Sequence, residues 1–139
     1  MLSLPARELM ATFAAAQPLT IAGREALERL KAWDGTMPTE RPEPLLFHAW
    51  RRELAWRVFA DDFGELAVDF VAAADMTRAL LHVLTSKSPA RDWCDDRRTA
   101  QRFESCLTLM SEALDASVER LTRESGRDVA GLRWGDEHL

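Results

Sequence analysis

Residues 99–126, TAQRFESCLTLMSEALDASVERLTRESG, carry the clearest structural signal in the chain. Phe103, Cys106, Leu107, Met110, Leu114, Val118 and Leu121 recur there at spacings of three and four, which puts them on one face of an α-helix. Thr99 is a capping residue type ahead of that run, and Gly126 suits the positive φ that ends a helix. No segment of the chain sustains a period of two, so little or no sheet is expected. The predicted fold class is all-α.

The same reading extends outward. Residues 86–96, with Pro89 and Asp95-Asp96, form a loop, with the aspartates favouring the start of the helix that follows. Before it, a helix begins near Glu65 after Gly64 and carries Leu66, Phe70, Ala73, Thr77, Leu80, Leu81 and Leu84. From Leu45 the stripe Leu46, Trp50, Leu54 and Val58, flanked by Phe47 and Phe59, predicts an amphipathic helix of about four turns. Arg51, Arg52 and Arg57 fall mostly off that stripe. Residues 36–44 hold Pro38, Pro42 and Pro44, whose fixed φ and missing N–H predict a rigid connector. Ahead of it, Ala26, Leu27, Leu30 and Trp33 mark a helix entered through residues 20–22 and stopped by Asp34-Gly35, with Gly35 as its C′ residue. Pro5 opens a first helix over residues 6–16, which Gln17-Pro18 stops. The expected architecture is an irregular bundle of about five helices forming one domain over residues 1–139.

The chain has 139 residues, 47% of them hydrophobic and 29% charged, enough to bury roughly two-thirds of the unfolded surface around one core. Its 18 basic and 23 acidic residues give a net charge of −5 with no Lys/Arg block, which argues against a nucleic-acid partner. Apolar runs such as residues 70–74 fall far short of the roughly 20 residues that span a bilayer, so no membrane partner is expected. The opening MLSLPARELM lacks a basic n-region and an apolar h-region; an export signal would have to lie outside this sequence.

Few residues invite chemistry. His48, His82 and His138 are dispersed, so neither a metal nor another cofactor is expected. The six glycines are isolated rather than grouped in a phosphate-binding loop. No serine or cysteine sits in a glycine-flanked elbow. Trp50 and Trp56 lie six residues apart on one helix, and core or rim packing is the commoner use of such a pair than a ligand cage. No catalytic residue is assigned within the chain.

Four blocks nevertheless form an ordered set: ALERLKAWDGTM at residues 26–37, LFHAWRRELAWRVFADDFG at 46–64, WCDDRRTAQRFESCLTLMSEAL at 93–114, and LRWGDEH at 132–138. Together, over about residues 26–138, they resemble the penicillin acylase family of N-terminal-nucleophile hydrolases. The resemblance implies a parent enzyme that hydrolyses the amide of small N-acyl compounds of β-lactam or acyl-homoserine-lactone type. In such an enzyme an N-terminal serine attacks the amide, its own α-amino group acts as base, and backbone and asparagine donors hold the oxyanion. Ser3 follows Met1 and Leu2 and matches no family motif, so no nucleophile is carried onto it. The matching blocks belong to the helical part of the family's large chain, downstream of the nucleophile.

Several expectations follow from the resemblance. The 139 residues are a helical structural portion of a larger acylase, inactive alone, with the remainder of the acylase chains or a second copy as partner. The rival reading is a stand-alone helical interaction module. The parent enzyme is periplasmic or secreted, a compartment that would allow Cys94 and Cys106 to pair; two buried free thiols are the alternative. A piece cut from a larger enzyme would expose a docking surface. Leu132 and Trp134 are the first candidates and Trp56 and Phe59 the second, unless these side chains fold back onto the bundle.

Overall fold

The computed structural model of the protein describes residues 3–63, 76–85 and 106–135. They include five α-helices and the 3-10 turn that follows the last of them, with no strand among the described residues. In chain order the helices are α1 (Leu4–Phe13), α2 (Ile21–Lys31), α3 (Glu43–Phe63), α4 (Met76–Thr85) and α5 (Cys106–Ser125), followed by the 3-10 turn Val129–Gly131. The all-α bundle expected from the periodicity is what the chain forms.

Helix α5 follows its periodicity closely. Met110, Leu114, Val118 and Leu121 are buried, joined by Leu109 and Ala113, whereas Leu107 at its first turn is exposed. Gly126 has φ +69° and its N–H donates to the Thr122 carbonyl at 3.0 Å, so the helix stops where the glycine was expected to stop it. The expected cap Thr99 and the stripe residue Phe103 lie outside the described residues.

Helix α3 is less one-sided than its stripe suggests. Leu46, Trp50, Leu54 and Val58 are buried, but so are Leu45, Phe47, Ala49, Ala55 and Phe59. Among the described side chains of the helix, Arg52 and Trp56 are the exposed ones. The reason is position: α3 packs most extensively on α5 and also touches α2 and α4, so it is the central helix rather than a surface one. Its first turn includes Glu43 and Pro44, which shortens the expected connector by two residues. Pro44 has no N–H to satisfy, and none is needed in a first turn.

Polar side chains set the remaining boundaries. Ser3 caps α1 by accepting from the Ala6 N–H at 3.3 Å. The helix ends at Phe13 rather than running to Gln17-Pro18; the N–H groups of Ala14, Ala15 and Ala16 close local turns onto Met10, Thr12 and Phe13, and those of Gln17 and Leu19 go to α5. Gln17 N–H donates to Ser111 Oγ at 2.8 Å, and Leu19 N–H donates to Asp115 Oδ2 at 2.8 Å. Thr20 caps α2 through the Gly23 N–H at 2.8 Å. Helix α2 closes at Lys31 with Ala32 as its C-cap. Gly35 has the positive φ expected, +84°, but it lies three residues past Ala32 and belongs to the turn beyond the helix, not to its C′ position. Of the predicted fourth helix, Met76, Thr77 and Leu80 are buried in α4, which lies against α1; its expected first half, with Leu66, Phe70 and Ala73, lies outside the described residues.

Candidate functional site

The side chains with unusual chemistry collect around the first half of α3. Phe13 from α1 lies on Trp50 with ring centroids 4.0 Å apart, and Phe47 touches Phe13 at 6.0 Å and Trp33 at 5.7 Å. Trp50 is fully buried, and its indole Nε1–H donates to the Met110 carbonyl of α5 at 2.8 Å. That bond satisfies the polar handle of an otherwise apolar ring. Of the two tryptophans on this helix, Trp50 is therefore core and Trp56 is rim, 39% exposed.

The carboxyl-terminal segment closes over this cluster. Asp128 caps the 3-10 turn by accepting from the Gly131 N–H at 3.0 Å, and Val129 and Leu132 are buried. Trp134 N–H donates to the Arg41 carbonyl at 3.0 Å and Gly135 N–H to the Thr39 carbonyl at 2.9 Å. The Trp134 ring meets His48 edge-on at 5.5 Å. Two of the four expected docking residues are thus core: Leu132 is 1% exposed and Phe59 3%. Trp134 is half-buried against the same core. The terminal segment folds back because its apolar side chains find cover beside the connector, whose carbonyls accept its N–H groups. The large apolar side chains that do reach solvent include Leu19 at 78% and Ile21 at 85%, which periodicity did not single out.

Charged groups line the same region. Asp34 accepts from the Thr36 hydroxyl at 2.7 Å and the Thr36 N–H at 3.0 Å; these bonds, the hydroxyl's first, hold its pKa below the ordinary carboxylate value. Trp33 Nε1–H donates to the Thr36 carbonyl at 2.8 Å, so the Trp-Asp-Gly block is a tied turn. Burial opposes ionisation of Glu43, but the Arg41 guanidinium, 2.7 Å away, wins and lowers its pKa. Arg57 bridges α3 to α5 through Glu53 at 3.0 Å and Glu112 at 3.4 Å.

The described serine hydroxyls are committed to backbone groups. Ser111 Oγ donates to the Leu107 carbonyl at 2.9 Å while accepting from Gln17. Ser117 Oγ donates to the Ala113 carbonyl at 2.7 Å. Ser3 is a cap, and Ser125 accepts from the Arg127 N–H at 3.1 Å. Cys106 starts α5 and is half-buried; Cys94 lies outside the described residues. His82 is exposed on α4. Among the described residues no three His, Cys or carboxylate side chains converge as metal ligands, and no helix is long and apolar enough to cross a membrane. A surface groove of about 310 Å³ runs between α1 and the end of α2, lined in part by Met10, Leu30, Trp33 and Asp34. The described side-chain hydrogen bonds include several that fix helix ends and join helices.

Sequence reasoning missed the residue that ties most of this together. Asp115 lies on α5 and accepts from Leu19 N–H, Thr20 N–H and the Thr20 hydroxyl, at 2.8, 3.3 and 2.7 Å. As an aspartate just outside an apolar stripe it looks like ordinary solvation, and nothing local connects it to a loop 95 residues away.

Comparison with known proteins agrees with the motif blocks. The penicillin amidase family model matches residues 1–139, extending the resemblance to the first 25 residues as well. An acyl-homoserine lactone acylase, QuiP, of Pseudomonas aeruginosa is 28% identical over 142 residues, covering 99% of this chain and 16% of the relative. The QuiP proteins of Pseudomonas fluorescens and Pseudomonas putida are 29% and 28% identical over 120 residues, covering 83% of this chain and 15% and 14% of theirs. The chain thus spans about a sixth of the length of the curated relatives it matches. No solved structure matches it. Since the family pattern is satisfied from the first residue to the last, the chain belongs to the penicillin amidase family.

Proposed function

We propose that these residues are a helical structural portion of a penicillin-acylase-like amidohydrolase whose whole polypeptide cleaves the amide of small N-acyl compounds. The observation that carries this reading is the coverage: a match over residues 1–139 to a family whose curated relatives here are about six times longer. The relatives' name supports acyl-homoserine lactones as the parent's substrate class. The described serines support a scaffold role, because they hold helix ends and backbone. On this reading the partner is the remainder of the acylase chains, and the working compartment is the periplasm or the outside of the cell. Purified chain incubated with an N-acyl-homoserine lactone should release no homoserine lactone above the buffer rate. Turnover by the pure chain, abolished by Ser3→Ala, would overturn the assignment.

Cys94 is the proposed partner of Cys106. A bridge closing a loop of about 13 residues should stabilise the fold by about 3 kcal/mol. Thiol titration of oxidised protein in denaturant, without reductant, is expected to find no free thiol. Two titratable thiols would reject the pair.

A further inference from the structure

Arg51 occupies an electrostatic position that nothing in the scaffold reading explains. Its side chain lies between α3 and α4, where Nη1 donates to Thr77 Oγ1 at 3.0 Å and Nη2 lies 3.2 Å from His48 Nδ1. The guanidinium carbon sits 5.7 Å from the centre of the Phe47 ring. Its Nε is buried and has no hydrogen-bond partner. None of these neighbours is a carboxylate, and no acid among the described residues pairs with Arg51, whereas Arg29, Arg41, Arg57, Arg120 and Arg123 each have one. Burial lowers the pKa of the guanidinium, and the charge of Arg52 lowers it further. A cation withdrawn from water without an anion is costly, so a site of this kind is normally completed by a counter-charge.

We propose that Arg51, flanked by Thr77 and His48, is a binding site for a carboxylate group. The fork of a guanidinium matches the two oxygens of a carboxylate and holds them with charge-assisted bonds. One unpaired positive charge calls for one negative charge. A phosphate dianion fits less well, since it would bring a second charge into a chain whose net charge is already −5. The carboxylate could come from a free small molecule or from an acidic side chain of the longer polypeptide; both present the same two oxygens.

The test uses the whole chain, with sodium acetate as the small-molecule probe and a capped peptide with one glutamate as the side-chain probe. Sodium chloride and inorganic phosphate at matched ionic strength are the controls. Acetate is expected to raise the melting temperature and to shift the Arg51 Nε–H resonance in a nitrogen-15 spectrum. Arg52→Met, which removes an equal charge from the exposed neighbour, should respond like the native chain. Arg51→Met should bind acetate about tenfold more weakly or worse, the loss expected for charge-assisted hydrogen bonds, and Arg51→Lys should fall between. Binding of acetate and peptide alike indicates a seat open to a protein side chain, and binding of acetate alone indicates a small-ion site; either supports the proposal. An acetate response equal to that of chloride, one matched by phosphate, or one retained in Arg51→Met overturns it. Should both Arg51 variants fail to fold, an unshifted Nε–H resonance in the native chain overturns it equally.

Discussion

Trp50→Ala is expected to lower the stability of the chain by about 3–5 kcal/mol, the range for removing a large aromatic from a packed core. The indole is fully buried, lies 4.0 Å from the Phe13 ring and donates to the Met110 carbonyl. Its removal leaves a cavity where α1, α3 and α5 meet, together with a carbonyl that has lost its donor. Against a typical total of about 5–15 kcal/mol, this is enough to bring the fold close to its threshold. Trp50→Phe separates the two contributions, since it refills most of the volume without restoring the donor, and it should recover more than half of the loss. Urea unfolding followed by circular dichroism measures both variants. A cost for Trp50→Ala within about 1 kcal/mol of zero, the level of ordinary surface substitutions, would show that this tryptophan does not hold the three helices together.

Gly23→Ala is the second large effect, and here sequence and structure predict opposite signs. Helix propensity favours alanine over glycine by about 1 kcal/mol inside a helix, so a reading of IAGREALERLK alone predicts stabilisation. In the structure a Cβ at position 23 would overlap Asp115 Oδ1 and would lie 2.8 Å from Thr20 Oγ1 and 3.0 Å from Pro18 Cβ. These are the groups that cap α2 and clamp the loop before it. The loop must shift or the clamp must open, and overpacking of this kind costs about 1–3 kcal/mol. The structural sign is therefore expected to win: Gly23→Ala destabilises. Asp115→Ala should also destabilise, since it orphans the Leu19 and Thr20 N–H groups. Combined with Gly23→Ala it should cost less than the sum of the two, because the overlap is then relieved. Chemical denaturation of the two single variants and the double variant gives the coupling directly. Additive costs, or a Gly23→Ala variant more stable than the native chain, would contradict the clamp.

What the sequence determined by itself was local or ordered along the chain. Spacings of three and four fixed α5 and the stripe of α3, Gly126 fixed the end of α5, and the order of the four motif blocks was enough to read the family. Each of these is set by neighbours within a few residues or by linear order. What only the tertiary structure decided depends on contacts between distant positions. Periodicity identifies one apolar face, so it could not show that α3 is covered on several sides and that Phe59 is core. Nor could it show that Leu132 and Trp134 turn back onto the connector, since that choice depends on which carbonyls and apolar surfaces lie within reach. The clamp on the loop before α2 and the intolerance expected at Gly23 both trace to Asp115, about 95 residues along the chain from the N–H groups it holds. Arg51 makes the same point for charge: its sequence neighbours mark it as an ordinary surface arginine, and the packing of α3 against α4 partly withdraws it from water without an anion among the described residues.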